Sequence, residues 1–393
     1  MSIRLKVAKS AKEIDDVMWL RHQVYVVEDG KFSDTPMPEK RILDRFDTMP
    51  GVVNLIAYNN DEPVGTVRVN QDCEIGLPPE SHYDFGQQRT HIEQHLSPQK
   101  PRFASGGMLA ITEKWRSRRD VIRALYKMLG SVFYRWGTTH ILATVNHETV
   151  SMYRRLGFKV VDDKQWVDSI GNHVIPLVAD AHSYYKWAFG NIPTNGHPNI
   201  SDNFELLLLR SGEVIFSKGD SGQYAFIVDE GQIRINGSSP AGDVLTLATI
   251  GPGELFGELS LIDDHPRNAN ALALTDAELI ILDRNAFKEI SDSDTDTLDL
   301  ILRTLAARTR RIDDMAMVFA YEPLRKRMEM AYKEMQERAV PQRKDPKIRV
   351  LKLAPQEFAQ CAGVDEEMAM SFLKSRQARG EIELRSQTIR FVA

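Results

Sequence analysis

A carboxylate and a guanidinium in the segment GPGELFGELSLIDDHPRNANA, residues 251–271, have the types and spacing needed to bind a phosphate attached to a sugar. Glu258 lies nine residues before Arg267, with a loop and the start of a short helix predicted between them. A planar guanidinium can pair two phosphate oxygens at once, and amides at a helix start add donors. A carboxylate can accept a hydrogen bond from a sugar hydroxyl. The segment therefore predicts a site for a cyclic phosphodiester; the alternative is a surface ion pair on an ordinary β-roll.

The same segment, together with GEVIFSKGDSGQYAFIVDEGQIRI at residues 212–235, resembles the cyclic-nucleotide-binding domains. The resemblance implies that Arg267 binds the cyclic phosphate, that Glu258 binds the ribose and that Gly257 lets the chain approach the ligand. It favours cAMP over cGMP as the effector, although Asn270 can both donate and accept, so the residues leave the base open. The further nucleotide-binding residues that it implies are Leu259, Ser260, Asn268, Ala269 and Asn270.

A basic loop in the first half of the chain has the composition of a pyrophosphate site. The segment LAITEKWRSRRDVIRAL, residues 109–125, leaves a predicted strand, bends through the loop and enters a helix. Amides at a helix start, assisted by arginines, can bind pyrophosphate. With NHETVSMYRRLGF, residues 146–158, this segment resembles the GNAT superfamily of acyl-CoA N-acyltransferases. The predicted donor-binding residues are Arg116, Ser117, Arg118, Arg119, Asp120, Val121 and Asn146.

The loop departs from the GNAT pattern at two positions. Family members carry small residues where this chain has Arg119 and Val121, and glycine there allows a close backbone approach to phosphate. The acyl donor therefore stays open between acyl-CoA and an acyl chain on the phosphopantetheine of a carrier protein.

Three further segments, MWLRHQVYVVEDG, RILDRFD and GTVRV, resemble the acyl-homoserine-lactone synthases and the related N-acyl amino acid synthases. The acidic residue and arginine of the lactone synthases would fall at Ser105 and Met108, so the resemblance favours a relative that acylates another amine. The residues that carry it, and that we assign to the acceptor cleft and its surroundings, are Arg21, Tyr25, Asp44, Asp47 and Arg68. A structural ion-pair network is the alternative for the charged members of this set.

Transfer of an acyl group from a thioester to an amine needs a proton acceptor for the amine and a proton donor for the leaving thiolate. The GNAT resemblance assigns the donor role to Tyr153, whose alternative is core packing with a polar tip. The candidate bases are Glu28, Asp44 and Asp47, and the sequence does not choose among them.

The composition excludes several classes of protein. The net charge is −5 over 393 residues, so the chain does not have the basic character of a nucleic-acid-coating protein. Cys73 and Cys361 are far apart, which predicts a reducing cytoplasm, and no apolar run has the length of a signal peptide or a membrane span. His91 and His95 lie one helical turn apart without a metalloprotease pattern, so no metal site is predicted.

The chain is predicted to be a multidomain α+β protein. A GNAT-like α/β domain covers residues 1–190 and a linker residues 191–203. An antiparallel β-roll that binds the nucleotide, with a long helix, covers residues 204–320. The long helix, from residue 291 to residue 316, carries an apolar stripe that predicts a homodimer, with packing on its own domain as the alternative. The stripe consists of Leu298, Leu302, Leu305 and Ile312.

Residues 321–393 contain a segment, 353–392, that resembles the winged helix-turn-helix of the catabolite activator protein family. Its predicted recognition helix, residues 365–376, begins with Asp365, Glu366 and Glu367. Carboxylates at that point would be repelled by DNA phosphates, so DNA binding is possible but disfavoured.

Together these features predict a cytoplasmic N-acyltransferase that is regulated by a cyclic nucleotide. One alternative is a cyclic-nucleotide-responsive, DNA-binding regulator of the catabolite-activator type, in which the acyltransferase-like domain acts as a sensor. The other is an inactive acyltransferase fold that only binds partners.

Overall fold

The computed structural model describes residues 2–31, 39–168, 171–189, 205–239, 244–285, 287–288, 295–341, 348–351, 353, 355–385 and 388–392. The chain divides into two compact units, residues 2–208 and residues 209–393. The predicted linker 191–203 and most of the charged segment 341–348 lie outside the described residues. Within the described part, no helix combines the length and the apolar character that crossing a membrane requires.

The N-terminal unit is built on a sheet with the strand order β9-β1-β2-β3-β4-β5-β8-β6, and β7 also pairs with β8. Neighbouring strands are antiparallel except for β4 and β5, which are parallel. The inner strand β3 is buried along most of its length, as expected for a strand covered on both faces. The strands are β1 (Ile3–Val7), β2 (Val52–Asn59), β3 (Glu62–Gln71), β4 (Phe103–Ile111), β5 (His140–Asn146), β6 (Lys159–Val160), β7 (Gln165–Val167), β8 (Asn172–Asp180) and β9 (Glu205–Leu209).

Helices cover this sheet. They are α1 (Ala11–His22), α2 (Gly86–Leu96), α3 (Arg119–Arg135), α4 (Val150–Arg155) and α5 (Ala181–Phe189). The first helix begins at Ala11 and not at residue 15, where the sequence predicts the start of a helix running to residue 27, because Ser10 and Glu13 form a capping box. It continues as a π-helical segment, Gln23–Glu28. Helix α3 buries one apolar face, including Val121, Leu125 and Leu129, as its amphipathic sequence predicts.

The C-terminal unit begins with a roll of antiparallel strands separated by glycine turns. Strand β11 pairs with β14 and β16, while the other strands follow the order β10-β15-β12-β13. Gly231 has a φ of +92°, and a Cβ there would lie 2.5 Å from a backbone oxygen, so this turn requires glycine. The elements are β10 (Val214–Phe216), β11 (Tyr224–Glu230), β12 (Ile233–Ser238), β13 (Val244–Ile250), β14 (Leu255–Phe256), α6 (Leu259–Ile262), β15 (Asn270–Ala273) and β16 (Ala277–Asp283).

Two helices follow the roll, α7 (Thr295–Tyr321) and α8 (Leu324–Arg338). Helix α7 runs past the predicted end at residue 316 and stops just before Pro323, which cannot continue a helix. In the predicted apolar stripe, Leu302 and Ile312 are more than half exposed. Leu305 is partly exposed, and the side chain of Leu298 is outside the described residues.

The chain ends in two helices, α9 (Pro355–Ala362) and α10 (Glu366–Ala378), and a small sheet. The sheet has the order β17-β18-β20-β19, from β17 (Val340–Pro341), β18 (Arg349–Leu351), β19 (Ile382–Arg385) and β20 (Thr388–Phe391). Phe358 of α9 and Leu373 of α10 are fully buried in the core between these elements. The turn between the helices contains Gly363 with a φ of +60°.

Candidate functional site

The parallel strands β4 and β5 pair only where they begin. Among the described residues, the recorded pairs are Phe103 with His140 and Ala104 with Ile141. Beyond them, β4 runs to Ile111 and β5 to Asn146, and no further pair between these two strands is recorded among the described residues. Residues 106–109 of β4 are partly exposed although they lie in the middle of the sheet. The strands therefore enclose a gap, in which unpaired strand amides can bind the carbonyl oxygen of an extended ligand.

A bulge in β4 shapes this gap. Thr66 and Arg68 of β3 face Ala110 and Gly107 of β4, so β4 carries one extra residue between the two pairs. Met108, within that stretch, has a φ of +53°. Left-handed backbone is uncommon for a residue with a side chain, and bulges occur often beside active sites.

The basic loop lies between the end of β4 and the start of α3. Arg116 donates to Glu28 (2.9 Å), to Asp29 (3.0 Å) and to the carbonyl oxygen of Ile111 (3.0 Å). Arg118 pairs with Asp120 at 2.7 Å. Two of the predicted donor-binding arginines thus carry carboxylate partners.

The remaining predicted donor-binding residues differ in exposure. Ser117 and Arg119 are exposed at the start of α3, whereas Val121 is fully buried in the core. Asn146 ends β5 and precedes a short 3-10 helix, His147–Thr149, with its carbonyl oxygen accepting from the Thr149 hydroxyl at 2.8 Å. The exposed loop residues and Asn146 therefore belong to the ends of the two strands that enclose the gap.

Tyr153 lies on α4, one short turn beyond β5. Its ring packs edge-on against Phe158, with ring centroids 5.3 Å apart. Its Oη accepts a hydrogen bond from the hydroxyl of Tyr126 on α3 at 3.0 Å. Burial raises the pKa of Tyr153, and the bond from Tyr126 only partly offsets this. The phenol therefore keeps its proton at neutral pH, which is the state required of a proton donor.

Two arginines assigned to the acceptor cleft and two candidate bases form one network, which is buried except at Asp44. Arg21 donates to both carboxylate oxygens of Asp47 (2.9 and 3.0 Å) and to Asn54 (2.6 Å). Arg68 pairs with Asp44 (2.7 Å) and Asp47 (2.9 Å). Burial acts to raise the pKa of Asp47, but the two guanidinium charges outweigh it and hold that pKa below its ordinary value. The network joins α1, β3 and a 3-10 turn, Arg45–Thr48.

The π-helical segment after α1 is held against the end of β4. Tyr25 donates to the carbonyl oxygen of Leu109 at 2.8 Å. Glu28 accepts from the backbone N–H of Glu113 at 2.9 Å and from Arg116 at 2.9 Å. Segments of π-helix occur frequently at functional sites, and this one forms a wall beside the strand that carries the bulge.

In the roll, the Arg267 side chain turns inward and is 5% exposed. It donates to the carbonyl oxygens of Gly257 (2.5 Å) and Tyr224 (2.6 Å). Its guanidinium carbon lies 4.2 Å from the centre of the Phe216 ring. Burial lowers the pKa of Arg267. Among the described residues its buried Nε has no hydrogen-bond partner, so the group has an unused donor for an anion.

Glu258 is the counterpart of Arg267 in the motif and is 2% exposed. One carboxylate oxygen, Oε1, pairs with Arg308 of α7 at 2.6 Å. The other oxygen, Oε2, is buried and has no hydrogen-bond partner in the part of the chain that the structure describes. Arg308 also donates to the carbonyl oxygen of Leu255. A buried acceptor without a partner is costly, and a sugar hydroxyl would satisfy it.

Two glycines let the chain approach these side chains. Gly257 has a φ of +75°, and a Cβ there would lie 2.9 Å from Arg267 Nη1. Gly222 has no room at all, because a Cβ there would lie 2.1 Å from the Cβ of Ser260. Both positions require glycine for close packing of the chain around the arginine.

The other predicted nucleotide-binding residues lie on α6 and the strand entry after it. Ser260 and Ala269 are buried, and Leu259 and Asn268 are exposed. Asn270 begins β15, and its side-chain oxygen accepts from the backbone N–H of Lys218 at 2.8 Å. That acceptor therefore stabilises the roll.

Sequence reasoning missed partners that lie far away in the chain. Arg308, Phe216 and Tyr126 contact Glu258, Arg267 and Tyr153, respectively, across 50, 51 and 27 positions. No local motif marks them. The only available signal was a cation and two aromatic residues inside predicted helices and strands.

The described residues contain few groups that could hold a metal. His95 Nδ1 lies 2.8 Å from the carbonyl oxygen of His91. One group of carboxylates, Asp229, Glu230 and Glu278, has oxygens within 4.8 Å of one another. Two of these residues are partly exposed and Glu278 is buried, and the structure gives no further sign of a cation among them, so we assign none.

Two family models match the chain. The model for the N-acyl amino acid synthase FeeM matches residues 16–180, and that for the cyclic nucleotide-binding domain matches residues 206–294. The predicted union of an acyltransferase-like domain with a cyclic-nucleotide-binding domain is thus confirmed at the level of the families. The solved structure of FeeM, an N-acyl amino acid synthase from uncultured soil microbes, is 14% identical with a TM-score of 0.39, covering 48% of this chain and 96% of that chain. That likeness is too low to carry an argument.

Curated relatives match the C-terminal half. The cyclic AMP receptor protein of Thermus thermophilus is 30% identical over 190 residues, which are 47% of this chain and 83% of the relative. The CRP-like cAMP-activated global transcriptional regulator of Mycobacterium tuberculosis is 26% identical over 178 residues, 45% of this chain and 80% of the relative. With its buried Glu258–Arg267 motif and this likeness, the chain belongs, through its C-terminal half, to the cyclic AMP receptor protein family, joined to an N-terminal domain of the N-acyl amino acid synthase type.

Proposed function

We propose that this protein is an N-acyltransferase regulated by a cyclic nucleotide, moving an acyl group from acyl-CoA or an acyl-carrier protein to an amine such as that of an amino acid. One observation supports the regulated half most directly. A guanidinium Nε of Arg267 and a carboxylate oxygen of Glu258 are buried without partners in one motif. A cyclic nucleotide supplies the phosphate and the hydroxyl that would satisfy both.

For the transfer itself, the thioester would lie in the gap between β4 and β5, with strand amides at its carbonyl oxygen. The amine attacks the carbonyl carbon, and Tyr153 gives its proton to the leaving sulfur. Of the three candidate bases, Asp47 and Glu28 are disfavoured, because each already pairs with an arginine. Asp44, the most exposed of the three, also pairs with Arg68. The amine proton is therefore assigned to water or to Asp44.

The donor's phosphate-bearing arm would lie along the loop that leads into α3. We assign contact with this arm to Arg119 and Ser117, which are exposed near the start of α3, and to Asn146 at the end of β5. We assign Arg116, Arg118, Asp120 and Val121 to shaping the loop. Both a free coenzyme and a carrier-bound arm present the same pantetheine unit to the gap. The choice between them therefore depends on contacts outside it.

Regulation would pass through α7. Arg308 on this helix pairs with the carboxylate that would receive the ribose, so nucleotide binding changes the environment of an α7 side chain directly. A ligand that binds one arrangement of the helix better than another shifts the population toward it. The exposed Leu302 and Ile312 on the same helix fit the proposed homodimer. We favour cAMP as the effector, since curated relatives are named for it.

A second function is favoured by those relatives, one of which is named as a transcriptional regulator. Helices α9 and α10 with the β19–β20 hairpin have the order of a winged helix-turn-helix. Yet Asp365, Glu366 and Glu367 occupy the start of α10, where a reading helix meets DNA phosphates. We therefore rank a DNA-binding regulator below the enzyme.

The test is release of free thiol from a panel of acyl-CoA and acyl-carrier-protein donors with amino acid acceptors, with and without cAMP or cGMP. We expect acceptor-dependent thiol release whose rate changes with one nucleotide. An electrophoretic mobility assay with DNA at a stated salt concentration, run with the same nucleotides, tests the alternative of a DNA-binding regulator. DNA binding without thiol release would support the regulator; neither activity would support the inactive fold.

A further inference from the structure

The hydroxyl of Tyr126 makes a contact that no motif in the chain explains. It is 5% exposed, lies in the middle of α3 and donates to Tyr153 Oη at 3.0 Å. The two rings meet edge to face, 88° apart, with centroids separated by 6.0 Å. We propose that Tyr126 is a positioning residue, whose hydrogen bond directs the Tyr153 proton toward the leaving sulfur and stabilises the phenolate left behind. This role rests on the proposed acyl transfer.

The geometry restricts where the Tyr153 proton can point. A phenol oxygen offers one donor and accepts through its lone pairs. Tyr126 occupies an acceptor position on Tyr153 Oη. Among the described residues, this is the only hydrogen bond recorded for that oxygen. Its own proton therefore has no recorded acceptor in the protein and remains available to a substrate.

Tyr126 is itself held firmly. The hydroxyl of Tyr184 on α5 donates to the backbone carbonyl oxygen of Tyr126 at 2.8 Å. The Tyr184 ring packs edge-on against Phe158, which also packs against Tyr153. Burial raises the pKa of Tyr126 well above its ordinary value, so this phenol keeps its proton when Tyr153 loses one. Tyr126 is thus a fixed donor behind a proton-releasing group.

The proton balance of the step is simple. As the tetrahedral adduct collapses, the carbon–sulfur bond breaks and its electron pair goes to sulfur. The proton of Tyr153 moves to that sulfur, and the phenolate oxygen keeps the O–H electron pair. Tyr126 then donates to an anion, and hydrogen bonds to charged groups are stronger than those to neutral ones. The proton lost by the amine returns to Tyr153 through water.

The test varies the leaving group. Two donors carry the same acyl chain, one on an alkyl thiol such as pantetheine and one on an aryl thiol of low pKa. An aryl thiolate leaves without a proton, so only the alkyl donor needs the tyrosine pair. We expect Tyr126→Phe to lower kcat about tenfold with the alkyl donor, the order of one hydrogen bond to an anion. With the aryl donor kcat should change less than twofold, and KM should stay constant for both.

Tyr185→Phe is the matched control, because it removes a part-buried tyrosine hydroxyl on α5 whose recorded hydrogen bond goes to the carbonyl oxygen of Thr138 at 2.9 Å rather than to Tyr126 or Tyr153. It should leave the ratio of the two kcat values unchanged. Tyr153→Phe should show the same selectivity as Tyr126→Phe with a larger loss, and the double variant should lose no more than Tyr153→Phe alone.

Equal slowing of both donors by Tyr126→Phe, or no slowing of either, would overturn the positioning role while leaving acyl transfer intact. A wild-type protein that releases no thiol from either donor would instead overturn the proposed function, and this role with it.

Discussion

Arg68 in the N-terminal unit and Arg267 in the C-terminal unit are both buried guanidinium groups, with 2% and 5% of their surface exposed. Arg68 contacts two carboxylates, Asp44 and Asp47. Arg267 contacts carbonyl oxygens and an aromatic ring, and among the described residues no carboxylate lies within ion-pair distance of it. Burying a charge is costly unless it is paired. The first arginine is compensated by carboxylates of the fold. The second is compensated only in part, by carbonyl oxygens, an aromatic ring and the more distant charges of Glu258 and Asp220, so we expect an anion to bind there.

This difference in counter-charge separates a buried arginine that stabilises the fold from one that is expected to bind a ligand, without the help of a sequence motif. Both arginines would be found by a search for buried charge. What distinguishes them is the counter-charge, because among the described residues the Nε of Arg68, like that of Arg267, is buried without a hydrogen-bond partner. By this criterion the Arg21–Arg68 network supports the alternative of a structural ion-pair network, although its residues lie beside the gap.

The largest effect should come from Arg267→Ala. Because the side chain is expected to bind two phosphate oxygens, its loss should weaken cyclic-nucleotide binding at least about 100-fold. Isothermal titration calorimetry with cAMP and cGMP measures this. Arg210→Ala, which removes an exposed arginine paired with Asp276 at the edge of the roll, should bind normally. Unchanged affinity in Arg267→Ala would remove the assignment of the phosphate site.

Asp47→Asn should act on stability instead. It leaves Arg21 and Arg68 without a shared counter-charge, and breaking a buried pair costs about 3–5 kcal/mol. Urea unfolding followed by circular dichroism measures the loss. Asp15→Asn, which breaks a surface pair with Arg41, should cost far less, because exposed ion pairs contribute little to stability. Equal losses in both variants would contradict the network's structural role.

The pairing of Asp47 with Arg21 and Arg68 can also be tested through the stability of the N-terminal unit in acid. The pKa of Asp47 is lowered in the folded state. Its contribution is therefore fully present above the unfolded value, about pH 4, and is lost as the pH falls below it. The wild type should lose stability in this acid range, and the slope should be shallower in Asp47→Asn. Equal slopes of unfolding free energy against pH in the two proteins would contradict this assignment.

Glu258→Gln should weaken nucleotide binding less, by about tenfold. The amide keeps one acceptor oxygen, but it loses the charge that strengthens a hydrogen bond from a sugar hydroxyl and that pairs with Arg308. Calorimetry with cAMP and with its 2′-deoxy analogue measures this. Because the analogue lacks the 2′-hydroxyl, its affinities for the wild type and for the variant should differ less than those of cAMP. Glu254→Gln, an exposed position in the same loop, serves as the control and should keep full affinity for cAMP.

The smallest effect concerns a carboxylate that serves a helix rather than an arginine. Asp365 caps α10, accepting from the backbone N–H of Met368 at 2.8 Å. Asp365→Ala should cost about 1 kcal/mol in the C-terminal unit. Glu367→Ala, an exposed first-turn position, should cost no more than a few tenths. Thermal unfolding compares them, and an Asp365 variant as stable as the wild type would contradict capping.

The sequence reveals most where the site is continuous along the chain. Gly257, Glu258 and Arg267 fall within eleven consecutive positions, so spacing alone indicated their chemistry. Helix α3 was equally visible, since its apolar face repeats regularly. These features depend on neighbours that the sequence displays directly.

Other features depend on folding together distant segments. The carboxylate partner of Arg68 could be suspected from composition, but its sharing with Arg21 requires α1 to pack on β3. Likewise, Arg308 reaches Glu258 only because α7 returns to the roll. Helix α1 begins at Ala11 rather than at the predicted residue 15, because the capping box Ser10–Glu13 starts the helix earlier.

Met108 has a consequence for how the N-terminal unit meets its substrate. With a φ of +53° in the middle of β4, the backbone is already turned where the strand leaves β5. In the proposed function this opening exists before any substrate arrives, so no binding free energy would be spent on separating the strands. Such preorganisation lets the free energy of donor binding go into holding the thioester rather than reshaping its host.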